Sequence, residues 1–104
     1  MLISIIIRTL NEERYLGELL TKISSQKGFG FEIETIIIDS GSTDNTIKIA
    51  KKHNCRITYI EKKNFTFGRS LNMGASFSKG DILVFISGHC IPKDDNWLTN
   101  LIYP

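Results

Sequence analysis

The chain alternates between short apolar runs and longer stretches of mixed polarity. The apolar runs are rich in β-branched residues and lack the strict alternation of a half-exposed strand; they cover residues 3–7, 33–38, 57–60 and 82–86. Continuous runs of this kind are typical of strands that are buried on both faces of a parallel sheet. The pattern therefore predicts a parallel sheet built from these runs.

Helical patterns lie between the predicted strands. Apolar side chains share one helical face over residues 15–23, with Asn11 as the predicted N-cap and with Glu12 and Glu13 in the first turn. A second helix is indicated around residues 47–50, after a stretch rich in turn-forming residues.

Two further helices complete the pattern. Residues 69–77 predict a third helix although Gly74 lies within it, and Asp94 or Asp95 is expected to open a fourth helix that contains Trp97 and Leu98. Alternation of strands and helices predicts an α/β fold with right-handed crossovers.

Composition and charge narrow the possible functions. The 104 residues suit a single domain, and their formal net charge is +2 with both signs interspersed, so no nucleic acid is expected as a partner. No run approaches the roughly 20 apolar residues that span a bilayer. Cys55 and Cys90 are expected to be reduced and to pack as small apolar residues. A cytoplasmic location is predicted, with the inner face of the membrane as the alternative for a full-length protein.

Polar residues follow three of the predicted strands, at positions 8–12, 39–44 and 87–90. Ligands of open parallel sheets bind beyond the carboxyl ends of the strands, so these three segments are expected to converge on one crevice. Asp39 is the strongest functional candidate, because a carboxylate at the end of a buried strand is costly without a partner.

The loop after the first strand excludes two common phosphate-binding arrangements. A dinucleotide-binding domain needs a glycine-rich turn there, but this chain has Leu10, Asn11, Glu12 and Glu13. The two carboxylates would repel phosphates, and the chain has no Gly-Lys-Ser/Thr of a P-loop. A ligand is therefore expected to place its nucleoside near the first two strands.

Three segments resemble the signatures of family 2 glycosyltransferases, in the order in which that family has them. Residues 3–12 are similar to the opening strand and loop, and residues 36–44 (Ile-Ile-Ile-Asp-Ser-Gly-Ser-Thr-Asp) to the second strand and its Asp-(Asp/Ser)-Gly-Ser-Thr-Asp signature. Residues 68–74 with the later 79–81 resemble its Arg-Asn-x-Gly…Gly-Asp segment. The resemblance implies a Rossmann-like GT-A nucleotide-binding half, in which a parallel β-sheet of about four strands alternates with helices.

The resemblance also implies a site for a nucleoside-diphosphate sugar, with a UDP-, GDP- or dTDP-sugar as the donor. Thr9 and Glu12 would line the nucleoside pocket with Arg8 at its edge, and an ionised Asp39 would accept a hydrogen bond from the base or the ribose. Asp44 is expected mainly to cap the second helix. The residues that the resemblance assigns to nucleotide-sugar binding are Arg8, Thr9, Glu12, Asp39, Arg69, Asn72 and Ser87.

The chain departs from the family after the fourth strand. The family usually has Asp-x-Asp there, of which the first acid meets the ribose and the second holds a divalent cation on the diphosphate. An ungapped alignment places Ser87, Gly88 and His89 at these positions. Ser87 can still bond a ribose, whereas a neutral histidine can ligate manganese but suits magnesium poorly. Three alternatives stay open: His89 ligates the metal or contacts the diphosphate directly, Asp94 or Asp95 reaches back to the site, or the domain binds without catalysing.

The resemblance implies an inverting transfer to a saccharide or lipid-linked acceptor. A carboxylate base removes the proton from the acceptor hydroxyl, and in the family this base lies in the acceptor-binding half, so no residue of this chain is assigned to it. Residues 1–104 are accordingly expected to be the single N-terminal nucleotide-sugar-binding domain of a longer enzyme, inactive alone. The alternative is a non-catalytic nucleotide-binding or interaction module.

Overall fold

The computed structural model describes residues 1–26 and 30–103. Its strands are β1 (Leu2–Thr9), β2 (Glu32–Asp39), β3 (Arg56–Tyr59) and β4 (Ile82–Ser87), and its α-helices are α1 (Leu16–Ser24), α2 (Thr46–Lys52), α3 (Phe67–Phe77) and α4 (Trp97–Ile102). Each strand and helix that the sequence pattern predicts is present. None of the helices in these described ranges has the length and apolarity to cross a bilayer.

The strands of the described residues form one parallel sheet in the order β3-β2-β1-β4. The chain builds the sheet outward from β1 to β3 and then returns to the other side of β1 for β4. This confirms the predicted α/β fold with a parallel sheet and alternating helices. The strand order reverses at β1, which is the place where ligands of such sheets bind.

β1 is the centre of the core because its two faces pack against different helices. Ile3, Ile5 and Ile7 face the layer of α1, α2 and α4, whereas Ile6 packs on the other face with side chains of α3. All four isoleucines have no exposed surface, and burial of such a side chain is worth about 1.5–3 kcal/mol. The prediction of strands buried on both faces thus holds best for β1, whereas the side chains of β3 and β4 are mostly half-buried.

The first helix starts later than predicted. α1 begins at Leu16, and the backbone N–H groups of Tyr15 and Leu16 donate to Glu12 O at 3.1 and 3.0 Å. The prediction that Asn11 caps this helix is wrong, because Asn11 adopts a left-handed φ of 53° and its side chain faces the loop after β2 instead. Glu12 and Glu13 consequently precede the helix.

The start of α4 also differs from the prediction. The helix begins at Trp97, and Asp94 Oδ1 accepts a hydrogen bond from the Asn96 backbone N–H at 2.9 Å in the turn that precedes it. Neither Asp94 nor Asp95 opens the helix, because this aspartate turn uses the Asp94 side chain before the helical residues begin.

The two cysteines are free thiols and half-buried. Burial raises the pKa of the Cys55 thiol to about 11, so this side chain is uncharged at neutral pH. Cys55 also packs against the apolar core on the α1 face of the sheet. Its role as a small apolar residue agrees with the sequence-based expectation.

Gly74 lies within α3, where glycine costs about 1 kcal/mol relative to alanine. The packing of α3 on the sheet explains its presence. A Cβ atom at this position would lie 2.8 Å from Ile6 Cγ2, 3.1 Å from Phe85 Cε1 and 3.2 Å from Ile38 Cδ1. The absence of a side chain therefore allows α3 to lie directly on the middle of the sheet.

Replacement of Gly74 by alanine should lower the free energy of unfolding by about 1–3 kcal/mol, because overpacking against a buried strand outweighs the gain in helix propensity. Gly68→Ala in the same helix is the matched control, since an added Cβ there meets nothing within 4 Å. This variant should be as stable as the wild type or more stable by up to about 1 kcal/mol. Urea unfolding compares the two, and equal effects would contradict the packing argument.

Candidate functional site

The polar residues that follow β1, β2 and β4 lie together, as predicted. In the register of the sheet Thr9 is the partner of Asp39, and Arg8 is the partner of Ser87. These pairs stand on the two sides of β1, at the carboxyl ends of the strands. The sheet thus brings three separate sequence segments to the edge at which its strand order reverses.

Asp39 ends β2 with a residue exposure of only 1%. Its Oδ1 accepts hydrogen bonds from Thr9 Oγ1 at 2.7 Å and Ser42 Oγ at 2.5 Å, and its Oδ2 accepts from the backbone N–H groups of Gly41 at 3.0 Å and Ser42 at 2.8 Å. Burial by itself raises the pKa of this carboxyl, but the hydrogen bonds from Ser42, Thr9 and Gly41 outweigh burial and hold the pKa below its ordinary value of 3.8. Asp39 is therefore ionised at neutral pH and folds the loop after β2 onto the end of β1.

The oxygens of Asp39 thus face donors of the protein itself. Its predicted hydrogen bond from a base or ribose stays a prediction, and a ligand would gain it by replacing a donor such as the Ser42 hydroxyl. From the sequence alone, Ser42 is only a part of the signature and of the turn. The repeated small hydroxyl residues after Asp39 were the available signal, because such side chains bond neighbouring carboxylates and backbone groups.

The loops after β1 and β2 are joined by a second set of hydrogen bonds. Asn11 Oδ1 accepts from the Thr43 backbone N–H at 2.8 Å, and the Glu12 backbone N–H donates to the buried Thr46 Oγ1 at 2.8 Å. Asp44 Oδ1 accepts from the Thr46 backbone N–H at 2.9 Å, but the N-cap of α2 is Asn45, so the expectation that Asp44 caps this helix is wrong and Asp44 lies in the turn before the cap. These contacts fix the backbone of Glu12 beside the strand ends.

A cavity of about 340 Å³ opens at this edge of the sheet. Most of its wall comes from residues that the sequence analysis selected: Arg8, Thr9, Glu12, Ser87 and His89. The other lining residues are Leu10, Ser40, Lys62 and Phe65. The cavity therefore connects the polar segments that follow β1, β2 and β4 with the connection after β3.

Lys62 and Phe65 are the contribution that the sequence analysis missed. Lys62 is exposed, and it also lines the cavity. The Arg8 guanidinium carbon lies 5.4 Å from the centroid of the Phe65 ring, within the range of a cation–π contact. The signal was the position of residues 62–65 in the connection after a parallel strand, because that strand ends at the same edge of the sheet.

Arg69 and Asn72 line a neighbouring hollow instead of the cavity that Thr9 and Ser87 share. This hollow has a volume of about 470 Å³, and Arg69 Nη1 donates there to Asn64 Oδ1 at 3.3 Å. A further hollow of about 600 Å³ lies between the two sites, because it shares Ser40 with the cavity and other residues with the Arg69 hollow. All the predicted binding residues thus lie along one edge, but they do not form one pocket.

β4 ends in a turn that brings Ser87 and His89 to the cavity. The Gly88 backbone N–H donates to Arg8 O at 2.9 Å and continues the pairing of β4 with β1. His89 Nδ1 lies 3.3 Å from Glu12 Oε1, and His89 Nε2 lies 3.3 Å from Ser87 Oγ. The residues at the family's Asp-x-Asp positions therefore form a chain of contacts with Glu12.

Magnesium held by protein side chains does not fit this donor set, whereas ligation of manganese by His89 stays a prediction. Magnesium takes an octahedron of oxygen ligands, whereas the turn offers a hydroxyl and an imidazole whose nitrogens both face protein groups. Across residues 1–26 and 30–103, no group of three or more His, Cys, Asp or Glu side chains could hold a metal ion.

Asp94 and Asp95 do not reach back to the cavity. Ser25 Oγ donates to Asp95 Oδ1 at 3.3 Å, and Gln26 Nε2 donates to Asp94 O at 2.8 Å. Both contacts are at the carboxyl end of α1, whereas Glu12 precedes its amino end, and a helix of nine residues is about 13 Å long. The alternative in which these aspartates replace the missing acids is wrong.

Comparison with known proteins shows which family the sequence matches. The sequence signature described as "Glycosyl transferase family 2" matches residues 4–104. The 4,4'-diaponeurosporenoate glycosyltransferase of Staphylococcus haemolyticus is 36% identical over 105 residues, which are 96% of this chain and 27% of that protein.

Solved structures resemble the fold closely. The crystal structure of Staphylococcus aureus TarS 1-349 in complex with UDP-GlcNAc has a TM-score of 0.82 and 25% identity, over 98% of this chain and 30% of that one. Glucosyl-3-phosphoglycerate synthase from Mycobacterium tuberculosis in complex with UDP has a TM-score of 0.75 and 28% identity, over 98% and 39%. These likenesses confirm the predicted GT-A type of fold. The chain spans less than two fifths of the length of each of these three proteins.

Replacement of Asp39 by asparagine should lower the free energy of unfolding by about 1–3 kcal/mol at neutral pH, because an amide cannot accept all the hydrogen bonds that the carboxylate accepts. The folded-state pKa is depressed, so the stabilisation is present above the ordinary value of 3.8 and is lost as the pH falls through the folded-state pKa. The variant should therefore lose less stability than the wild type between neutral pH and about pH 2.

Urea unfolding over this pH series measures both effects. Glu61→Gln is the control, because the Glu61 side chain is exposed by 68% and should change stability by no more than about 0.5 kcal/mol. A stable Asp39→Asn protein with the acid response of the wild type would contradict the role given to this carboxylate.

Proposed function

Because the chain belongs to glycosyl transferase family 2, we propose that its 104 residues form the single nucleotide-sugar-binding domain of a glycosyltransferase. The observation that carries this proposal is the cavity at the reversal of strand order, lined by Arg8, Thr9, Glu12, Ser87 and His89. Support comes from similar folds whose crystal structures contain UDP-GlcNAc or UDP.

The shape of the edge suits an extended ligand with a charged centre. The cavity of about 340 Å³ continues along the sheet edge into hollows of about 600 and 470 Å³, so base, ribose and diphosphate can take different parts. Arg8 and Lys62 line the cavity and supply positive charge for a diphosphate. The loop after β2, which the hydrogen bonds of Asp39 hold in place, lines the hollow of about 600 Å³ next to the cavity. We place the nucleoside in this hollow.

The proposed reaction is an inverting transfer to a saccharide or lipid-linked acceptor. An acceptor hydroxyl attacks the anomeric carbon in line, its proton goes to a carboxylate base, and the bond to the diphosphate breaks. We assign no residue of this chain as the base. The contribution of the chain is to bind the donor and to stabilise the charge of the leaving nucleoside diphosphate.

A second candidate function is a non-catalytic nucleotide-binding or interaction module. The observation that favours it is the replacement of the family's Asp-x-Asp by Ser87, Gly88 and His89. The two candidates share the binding site and differ in the transfer step. The test that distinguishes the two candidates is an assay of sugar transfer by the full-length protein with its native Ser87-Gly88-His89 turn. Transfer supports the enzyme, and its absence supports the non-catalytic module.

Lys62→Glu should weaken binding of UDP or GDP by about tenfold, because the attraction of the lysine is replaced by repulsion between the new carboxylate and the diphosphate. Lys51→Glu is the matched control, since it changes the net charge equally at an exposed position in the last turn of α2. Calorimetric titration measures both, with added manganese and with a chelator to test the expected divalent cation. Equal weakening by the two variants, or no binding by the wild type, would contradict the proposed site.

The 104-residue chain alone should bind nucleotide at best weakly and transfer no sugar, because no residue of the chain is assigned as the base. The measurement is release of nucleoside diphosphate and formation of product from UDP- and GDP-sugars with saccharide acceptors. The full-length protein serves as the positive control. Transfer by the 104-residue chain would overturn the division of roles proposed here.

A further inference from the structure

Phe65 follows the short 3₁₀ turn Lys62–Asn64, which lies between β3 and α3. Its backbone N–H donates to Lys62 O at 3.2 Å. Its side chain packs against the part of the core that faces α3, whose buried members are Ile6, Ile36, Ile38 and Ile60. Phe65 is therefore anchored through its backbone and through its side chain, and it also lines the cavity.

Arg8 lies beside this ring, one residue before the end of β1. The sheet fixes its backbone, since Arg8 pairs with Ile38 on one side and with Ser87 on the other. Its side chain has several rotatable bonds, and holding such a side chain in one position costs conformational entropy. A contact that restrains the guanidinium before a ligand arrives reduces the part of this cost that binding must meet.

The Phe65 ring can hold a cation without using its donors. The guanidinium carbon of Arg8 lies 5.4 Å from the ring centroid, and the attraction comes from the negative face of the ring. A carboxylate partner takes up N–H groups, as Glu34 Oε1 does from Arg56 Nη1 at 2.8 Å. The contact with Phe65 restrains Arg8 and needs none of its N–H donors, so these can serve an anion in the cavity.

We propose that Phe65 is a positioning residue, which holds the guanidinium of Arg8 so that its N–H groups meet the diphosphate of the bound nucleotide. This inference rests on the proposed function, in which Arg8 and Lys62 supply the positive charge of the cavity. Phe65 acts through Arg8 and contacts neither the base nor the ribose. The connection after β3 thus contributes a charge of its own and also orients a charge that β1 supplies.

The first test needs no ligand. In the full-length protein labelled with nitrogen-15 arginine, the ring current of Phe65 should shift the side-chain signal of Arg8, which Arg8→Lys identifies by removing it. Phe65→Leu should move this signal toward that of a solvated arginine, whereas Phe65→Tyr should leave it in place because the aromatic face remains. Phe65→Met, which has no ring either, is used if Phe65→Leu does not fold. A signal that loss of the ring does not move would overturn the proposal.

The second test compares a nucleotide with its nucleoside in the full-length protein, using UDP and uridine, or GDP and guanosine if the protein selects guanine. Phe65→Leu should weaken binding of the diphosphate by about threefold, the loss expected for one cation–π contact, and Phe65→Tyr by less than about 1.5-fold. Neither variant should change the affinity for the nucleoside. When Arg8 is already replaced by glutamine, Phe65→Leu should cause no further loss, because Phe65 acts through Arg8.

Phe77→Leu is the matched control. Phe77 packs against the same part of the core, and the guanidinium carbon of Arg56 lies 4.3 Å from its ring centroid, but neither residue is in the wall of the cavity. This variant loses the same kind of contact and should leave nucleotide affinity unchanged. Equal loss in the two leucine variants, or equal loss for nucleoside and nucleotide, would overturn the inference. Absence of nucleotide binding by the wild type would reject the proposed function, and the inference with it.

Discussion

The buried carboxylate of Asp39 is the interaction on which the site depends. It joins the end of β1 to the loop after β2 through Thr9 and Ser42, and hydroxyl and backbone donors compensate its charge. An ionised group with 1% residue exposure is stable only with such a complete set of donors. The same hydrogen bonds that stabilise the carboxylate therefore hold the two loops in the shape that the cavity requires.

The cavity has a buried, rigid floor and a more exposed rim. Thr9 and Ser40 are buried, whereas Lys62 and His89 are exposed to solvent and line the same space. Positive charge comes from Arg8 and Lys62, and the carboxylate of Glu12 is directed at His89. In a site where the usual pair of acids is absent, the electrostatic character is thus determined by residues from three different connections of the sheet.

The elements of the fold were readable from local patterns, but the ends of the helices were not. Continuous β-branched runs identify β1 to β4, because strands covered by helices on both faces need apolar residues at successive positions. Asn11 has the chemistry of a helix cap and yet bonds the loop after β2, since its oxygen finds the Thr43 N–H there. Gly74 looked unfavourable within a helix, and only the contact of α3 with Ile6 explains it.

The sequence by itself determined the class of fold, the edge of the sheet that carries the polar residues and the identity of most residues that line the cavity. These features follow from periodicity and from the rule that parallel strands end at a common edge. Only the tertiary structure decided that Arg69 and Asn72 lie in a separate hollow, that Lys62 and Phe65 belong to the cavity, and that Glu12 faces His89. Such contacts join residues up to 77 positions apart, and they depend on the exact approach of packed loops, which no local pattern of side chains encodes.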